Sequence, residues 1–223
     1  MKFKNWLWAM YVMVAASVSL GTSNASADFV NPFVPFWRGA ANTDFYGWEH
    51  FTSAFGGPNL PDYPSTEPGA ALFNFGPGAT LDGGNIHAVN SPLSITVYAG
   101  LTAPVDQIVV NIATMGSVLS GSTVRLTLAD NAGHSVTLAP TLFEMRSDEP
   151  GPGGEGRIQT RAYKWQVSGV EFGPIRFQLD FASYTGGINL NTVSTDIHYI
   201  PAPGVFALSG IALVLGARRR RRS

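Results

Sequence analysis

Apolar and polar residues alternate with a period of two along much of the chain after residue 71. Alternating runs cover residues 93–98, 107–112, 124–128, 175–181 and 193–199. This alternation predicts strands with one buried face and one solvent-facing side. About eight to ten such runs, separated by turn signals, predict an all-β fold. We expect an antiparallel two-sheet sandwich, jelly-roll-like in topology.

Turn-forming residues separate the predicted strands. The stretch 130–133, Asp-Asn-Ala-Gly, predicts a hairpin turn that leads into a returning strand at 135–138. Glycines bound the stretch 116–121, which predicts a second hairpin. Residues 56–70 are rich in glycine and proline, so we expect a loop there, with neither a helix nor a central strand.

The first 27 residues have the three parts of a secretory signal peptide. Lys2 and Lys4 supply positive charge, and a nearly uncharged apolar stretch follows over 6–20. The predicted cleavage site consists of the small residues Ala25 and Ala27, followed by Asp28. The alternative is an uncleaved membrane anchor. We predict cleavage, with Asp28 as the first residue of the mature protein.

The last 23 residues combine a proline-rich turn, an apolar segment and a positive cluster. Pro201 and Pro203 prevent a helix from starting before Gly204. The apolar segment 205–217 would span about 20 Å as a helix, less than a hydrocarbon core of about 30 Å, and interfacial residues could make up the difference. Cytoplasmic retention is predicted for the arginines Arg218, Arg219, Arg220, Arg221 and Arg222. The alternatives are a buried helix of a soluble domain and a nucleic-acid-binding tail. The first would normally be amphipathic, whereas this segment is apolar all round. The second would explain the arginines but not the apolar segment beside them.

This tail resembles the PEP-CTERM sorting signal, in which a Pro-Glu-Pro motif precedes a short hydrophobic helix and an arginine cluster. The matching motif is Pro201, Ala202, Pro203 and Gly204, with alanine in place of glutamate. The resemblance implies an exosortase-type processing enzyme as partner and transient inner-membrane anchoring through a single transmembrane helix at 205–217. It also implies delivery to the cell surface or extracellular matrix, with exopolysaccharide as a further candidate partner.

The predicted organisation is a signal peptide at 1–27, a passenger domain at 28–200 and a sorting tail at 201–223. Seven of the 14 basic residues lie outside the passenger, whereas all 15 acidic residues lie within it, so its net charge is −8. An acidic domain repels phosphate, which argues against nucleic acid as a partner. The chain has no cysteine, so thiol chemistry and disulfides are excluded.

Aromatic residues are concentrated between residues 29 and 55. Two interpretations remain open for this segment. The rings could cover part of a sheet core, where aromatic side chains bury much area. Alternatively, they could form an exposed platform on which sugars stack, with Trp37 and Trp48 as the candidate glycan contacts.

The other chemical motifs are weak. The stretch 151–156 matches G-x-G-x-x-G, but Pro152 and neighbouring acids oppose phosphate binding, and we predict a hairpin loop. The histidines, His50, His87, His134 and His198, lack local metal-ligand spacing. Asp180 and Asp196 are an arbitrary choice for a glycosidase acid pair, which needs a cleft. We therefore predict no catalytic residue, no metal site and no cofactor, although a structural calcium held by several loops remains open.

The sequence thus predicts an exported, surface- or matrix-associated protein with a structural or adhesive role, not an enzyme. The alternative is a secreted carbohydrate-binding module that uses the aromatic segment 29–55. The third hypothesis, a secreted hydrolase, has no visible catalytic constellation behind it. Exposure of Trp37 and Trp48 distinguishes the first two hypotheses, because a sugar platform needs exposed rings.

Overall fold

The computed structural model describes residues 29–63, 69–151, 156–167 and 169–201. Within these ranges the fold contains one short 3-10 segment, Gly121–Thr123, no α-helix and thirteen strands. The strands are β1 Thr43–Trp48, β2 Gly56–Asn59, β3 Ala71–Asn74, β4 Thr80–Asp82, β5 Asn85–Ala88, β6 Ser94–Gly100, β7 Val105–Gly116, β8 Arg125–Ala129, β9 Ser135–Leu138, β10 Leu142–Pro150, β11 Arg157–Gln166, β12 Arg176–Ala182 and β13 Ile188–Tyr199.

The strands form two antiparallel sheets. The seven-stranded sheet has the order β10-β11-β7-β13-β5-β4, and β1 pairs with β13 beside β5. The six-stranded sheet has the order β2-β3-β6-β12-β8-β9. The all-β, two-sheet antiparallel prediction is therefore confirmed, and the jelly-roll topology stays a prediction.

The inward faces of the two sheets enclose one hydrophobic core. Its largest fully buried side chains include Trp48, Trp165, Tyr46, Tyr163, Phe177 and Phe181. Aromatic side chains of this size bury a large apolar area each, which stabilises a sandwich that has no disulfide. The core therefore takes up much of the chain's aromatic content and leaves a smaller set of rings on the surface.

The strand β13 is the centre of the seven-stranded sheet. One edge pairs with β7 along nearly its whole length, and the other pairs with β5 near Ile188 and with β1 from Val193 to His198. The register with β7 shifts between Leu190 and Thr192, so Asn191 is an extra residue in the strand. This bulge breaks the period-two pattern in the first half of β13.

Residues 29–42 cross the outward face of the seven-stranded sheet, and we call them the N-terminal strap. The backbone N–H of Phe33 donates to Asn111 Oδ1 at 2.8 Å, and Asn111 Nδ2 donates to the Phe33 carbonyl at 3.1 Å. The Val30 N–H donates to Thr160 Oγ1 at 3.1 Å. The strap therefore covers outward residues of β7 and β13, such as Asn111 and Asp196, which are fully buried.

The connection from β7 to β8 corrects one prediction. The stretch 116–121 is not a hairpin, because β7 belongs to the seven-stranded sheet and β8 to the six-stranded one. The chain crosses between sheets here, and the Ser120 N–H donates to the Ala182 carbonyl at 2.9 Å. The predicted turn at 130–133 does join two paired strands, β8 and β9. β10 and β11, which flank the stretch 151–156, pair antiparallel as expected for a hairpin, and residues 152–155 lie outside the described residues.

Within the described residues, no helix is long and apolar enough to cross a membrane. The predicted transmembrane segment 205–217 lies outside them, as do Ala202, Pro203, Gly204 and the arginines 218–222. The signal peptide and its cleavage residues, Ala25, Ala27 and Asp28, also lie outside them. The last described residue is Pro201. The residue before it, Ile200, donates its backbone N–H to the Pro104 carbonyl at 2.7 Å.

Candidate functional site

Trp37 lies on the strap with its ring against the seven-stranded sheet. The side chain is 7% exposed, and Nε1 donates to Gln107 Oε1 at 3.1 Å. Its ring stacks on His198, with centroids 5.2 Å apart and planes 28° apart. Since both the indole N–H and one ring face are occupied within the fold, Trp37 fastens the strap to the sheet.

Trp48 belongs to the interior of the sandwich. It is fully buried at the end of β1, and Nε1 donates to the Asn59 carbonyl at 3.0 Å. Its ring lies 6.3 Å from that of Tyr46, which is also buried. A sugar cannot reach either face of this indole. The prediction that Trp37 and Trp48 contact glycan is therefore wrong, because both rings are buried. Their burial supports the other interpretation, in which these rings cover part of a sheet.

The two sheets differ in how their outward faces are covered. The strap covers outward residues of β7 and β13, whereas the outward residues of the six-stranded sheet are exposed or half-buried, apart from the buried Thr96. We call this second surface the open face. Its central positions, read across paired strands, are Ala71, Tyr98, Gln178 and Thr127 in one row and Phe73, Thr96, Asp180 and Arg125 in the next.

Three aromatic rings form one corner of the open face, which we call the aromatic corner. The rings of Phe73 and Phe75 are parallel within 1°, with centroids 6.0 Å apart. The Tyr98 ring meets Phe73 edge-on, at 5.8 Å and 75°. Phe75 is 51% exposed and Tyr98 is 38% exposed. Exposed large rings grouped in this way mark interaction surfaces more often than single exposed apolar residues do.

The backbone of the edge strand β2 fixes the position of Phe73. A Cβ atom on Gly57 would lie 2.9 Å from Phe73 Cδ1 and 2.9 Å from the Leu72 carbonyl oxygen, so a side chain at residue 57 would displace the ring. Glycine here lets the phenyl ring approach the β2 backbone closely. The ring is thus held between Gly57, Phe75 and Tyr98, which limits its motion before any ligand arrives.

A hydrogen-bonded polar group lies beside the aromatic corner. Thr96 Oγ1 donates to Asp180 Oδ1 at 2.7 Å, and Gln178 Nε2 donates to Asp180 Oδ2 at 2.8 Å. These contacts hold the Asp180 carboxylate in one orientation. Beyond it, the hydroxyls of Thr127 and Thr137 lie 2.9 Å apart. The open face therefore offers apolar rings on one side and aligned donors and acceptors on the other.

The candidate acid pair is not assembled. Asp180 points outward from the six-stranded sheet, whereas Asp196 points outward from the seven-stranded sheet beneath the strap, so the body of the sandwich separates them. Burial raises the pKa of Asp196 above its ordinary value, and its hydrogen bonds from Arg38 oppose that rise. The described residues contain no group of three or more side chains suited to a metal ion. His134 and His198 pair instead with Asp130 and Asp106.

The sequence contained a signal for the aromatic corner. Phe73 and Phe75 are two residues apart, so strand geometry places both on the same face. Tyr98 is a large ring at one of the outward positions of its alternating run. The aromatic-rich segment 29–55 is the stronger local signal, but its rings at Tyr46, Trp48 and Phe51 fill the core.

No protein-family model matches the chain, and no curated protein matches it significantly. Among solved structures it is similar to the enzymatically active domain of bacteriophage CBA120 tailspike protein 4, with a TM-score of 0.31 and 12% identity over 69% of this chain and 19% of that one. It is similar to a family GH115 4-O-methyl-alpha-glucuronidase, with a TM-score of 0.30 and 16% identity over 65% of this chain and 19% of that one.

The chain is also similar to a mutant of the family 29 carbohydrate-binding module CBM29-2, with a TM-score of 0.26 and 12% identity over 69% of this chain and 91% of that one. It spans 19% of the length of each of the first two proteins.

Proposed function

We propose that this chain is an exported, surface- or matrix-associated adhesive protein whose open face binds polysaccharide through the aromatic corner. The observation that carries the proposal is the parallel pair of the half-buried Phe73 and the exposed Phe75, with the exposed Tyr98 packed against Phe73. The proposal keeps the predicted role in the cell envelope or matrix. It moves the glycan contact from the buried Trp37 and Trp48 to the outward surface of the six-stranded sheet.

The chemistry of sugars fits such a surface. A pyranose ring presents apolar C–H groups on its faces and hydroxyls around its rim. An aromatic ring covers the apolar face, and neighbouring polar side chains bond the hydroxyls, as in binding sites that combine apolar walls with a few placed polar groups. Gln178 and Asp180 both lie on β12, one strand from Tyr98 on β6 and two strands from Phe73 on β3, and they supply both donors and acceptors.

The shape of the open face suits a polymer better than a small ligand. The site is an outward sheet surface, and its rings and polar groups are spread over four strands. An extended chain can contact several of these positions at once, so individually weak contacts add along it. Retention on a matrix polymer is the adhesive role that this arrangement supports.

We also propose that the resemblance of the tail to a PEP-CTERM signal describes how the protein is delivered. The leader at 1–27, the motif Pro201–Gly204 and the arginines 218–222 would direct export, exosortase-type processing and release. Ile200 is 44% exposed and directly precedes the motif. That position would leave the motif accessible to a processing enzyme.

Affinity electrophoresis of the full-length chain tests the binding proposal. Gels would contain neutral xylan, hydroxyethylcellulose, polygalacturonate or the exopolysaccharide of the producing cells. We expect at least one polymer to retard the protein, and Phe73→Ser with Phe75→Ser to abolish the retardation. The matched control is Phe36→Ser with Phe143→Ser, which removes two exposed rings from elsewhere. Binding that survives the first pair, or no retardation by any polymer, would overturn the proposal.

Deletion of residues 205–223 tests delivery independently. We expect the truncated protein to lose its processing and its envelope localisation. If it is still processed at the same place and reaches the same compartment, the tail is not a sorting signal.

A further inference from the structure

The open face carries positive charge in a strongly acidic protein, and from this we infer that its ligand is a polysaccharide with carboxylate groups, such as a uronate polymer. The inference rests on the proposed function and names the ligand class of the same site. Two arginines carry it, Arg125 on β8 and Arg176 on β12. Both occupy outward positions of the six-stranded sheet, within the rows that contain or adjoin the aromatic corner.

The other cationic side chains of the described residues form ion pairs, are buried, or lie on the other sheet. Arg38 pairs with Asp196, Arg146 with Glu144 and Arg157 with Asp148. Arg161 is buried, and it donates to the Leu119 carbonyl and to Gln159. Lys164 belongs to β11 of the other sheet. Arg125 and Arg176 are therefore the outward-facing arginines without an ion pair among the described residues, since Arg161, which also lacks one, is buried.

The register places both arginines within reach of one extended ligand. Arg176 is paired with Gly100 on β6, so it is a diagonal neighbour of Tyr98. Arg125 lies opposite Asp180, which is four residues along β12 from Arg176. The two Cα positions are therefore roughly 13 Å apart along the strand direction. A polymer that stacks on the aromatic corner and runs across β12 would pass close to both.

The local charge balance favours an anionic ligand. Arg125 and Arg176 face one carboxylate, Asp180, whose two oxygens already accept from Thr96 and Gln178. The passenger as a whole carries −8. It therefore repels a polyanion everywhere except where cations gather, so this surface would orient an acidic polymer as it approaches. Guanidinium groups match carboxylates with two parallel hydrogen bonds, which gives the contact directionality.

The experiment compares polygalacturonate with neutral xylan as ligands of the full-length chain, using affinity electrophoresis at low and high salt. Three variants are measured: Arg125→Gln with Arg176→Gln, Phe73→Ser with Phe75→Ser, and the control Arg157→Gln with Lys164→Gln. The control removes the same charge from the other sheet. We expect the open-face arginine variant to bind polygalacturonate at least about fivefold more weakly, and the control to bind unchanged. We expect added salt to weaken wild-type binding, because it screens exposed ion pairs.

The outcomes separate the two proposals. If xylan binds as tightly as polygalacturonate and the arginine variant binds both normally, the acidic-ligand inference is overturned while the proposed function stands. If neither polymer, nor any other polysaccharide of the panel, binds, the proposed function fails. If polygalacturonate binding survives loss of Phe73 and Phe75, the proposed function is overturned, together with the inference that rests on it. If binding falls equally in the control, overall charge is responsible and the acidic-ligand inference alone is overturned.

Discussion

Arg38 on the strap reaches the fully buried carboxylate of Asp196 on β13 and donates to both of its oxygens. Nη2 donates to Oδ2 at 2.6 Å, and Nε donates to Oδ1. The guanidinium also lies over the Phe45 ring, 4.3 Å from its centroid. The ion pair joins the strap to the central strand of the sheet that it covers, and so it helps to keep that face closed.

Replacement of Arg38 by methionine leaves the Asp196 carboxylate buried without its cation. We expect a loss of about 3 kcal/mol in the free energy of unfolding at about pH 7. Burial raises the pKa of Asp196 in the folded state above its unfolded value. The contribution of Asp196 to the free energy of unfolding is therefore most favourable below the unfolded pKa, and it is lost as pH rises through the folded pKa. The deficit of the variant should therefore shrink on acidification. Denaturant unfolding at neutral and mildly acidic pH measures this.

Asp196→Asn is the matched control for this pair. It removes the buried charge and leaves Arg38, whose side chain is 27% exposed, able to reach solvent. We expect a smaller loss with little dependence on pH, and partial recovery when both substitutions are combined. Equal losses in both single variants at every pH would contradict the account of the ion pair.

Asn111 holds the backbone of the strap through two hydrogen bonds to Phe33. Asn111→Ala would leave the Phe33 N–H without its acceptor, at a cost of about 1–3 kcal/mol. We expect faster hydrogen exchange at the Phe33 amide and easier proteolysis of the strap. Thr127→Val, on the open face, is the control and should leave both unchanged. A protected Phe33 amide in the Asn111 variant would count against this anchor.

Gly116 lies at the end of β7 in a left-handed conformation, φ 103°, against the Gly187 backbone. A Cβ atom there would lie 2.2 Å from the Gly187 carbonyl oxygen, so alanine would force the backbone apart. Gly133 has a similar φ of 93° and open space around it, so alanine there costs only the conformational strain of about 1–2 kcal/mol. Denaturant midpoints should rank Gly116→Ala well below Gly133→Ala, and equal midpoints would refute the steric argument.

Gly57→Ala tests the placement of Phe73. The new methyl group would push the phenyl ring away from β2 and disturb its parallel arrangement with Phe75. We expect weaker polysaccharide retardation of the folded variant. The control is Gly133→Ala, a glycine with no neighbour within 4 Å of the added atom. Retardation equal to wild type with a demonstrably displaced ring would mean that Phe73 geometry is unimportant for binding.

The alternation of apolar and polar residues predicted strands well where one face of the sheet is exposed to solvent. β12 follows this rule, and its observed bounds nearly match the predicted run at 175–181. β7 is longer than its predicted run because the strap covers its outward side, so apolar residues such as Val109 and Ala113 occupy the outward face as well. The first half of β13 departs from the alternation of the second half because the bulge at Asn191 shifts the pattern by one residue.

Long-range packing explains what the local pattern could not supply. A turn signal at 116–121 cannot show whether the following strand pairs with the preceding one or crosses to the other sheet. Similarly, Trp37 is a strap residue whose burial depends on Gln107 and His198, both distant in sequence. The aromatic corner combines β3 and β6, so only the strand order makes Phe73 and Tyr98 neighbours.

The most direct test of the central claim is NMR of the assigned aromatic rings while oligosaccharides from xylan and polygalacturonate are added. Binding at the aromatic corner predicts shifts in the ring resonances of Phe73, Phe75 and Tyr98, with those of Phe36 and Phe143 unchanged. Saturable shifts confined to Phe36, Phe143 or other rings, or no shifts with either set of oligosaccharides, would contradict the assignment of polysaccharide binding to the open face.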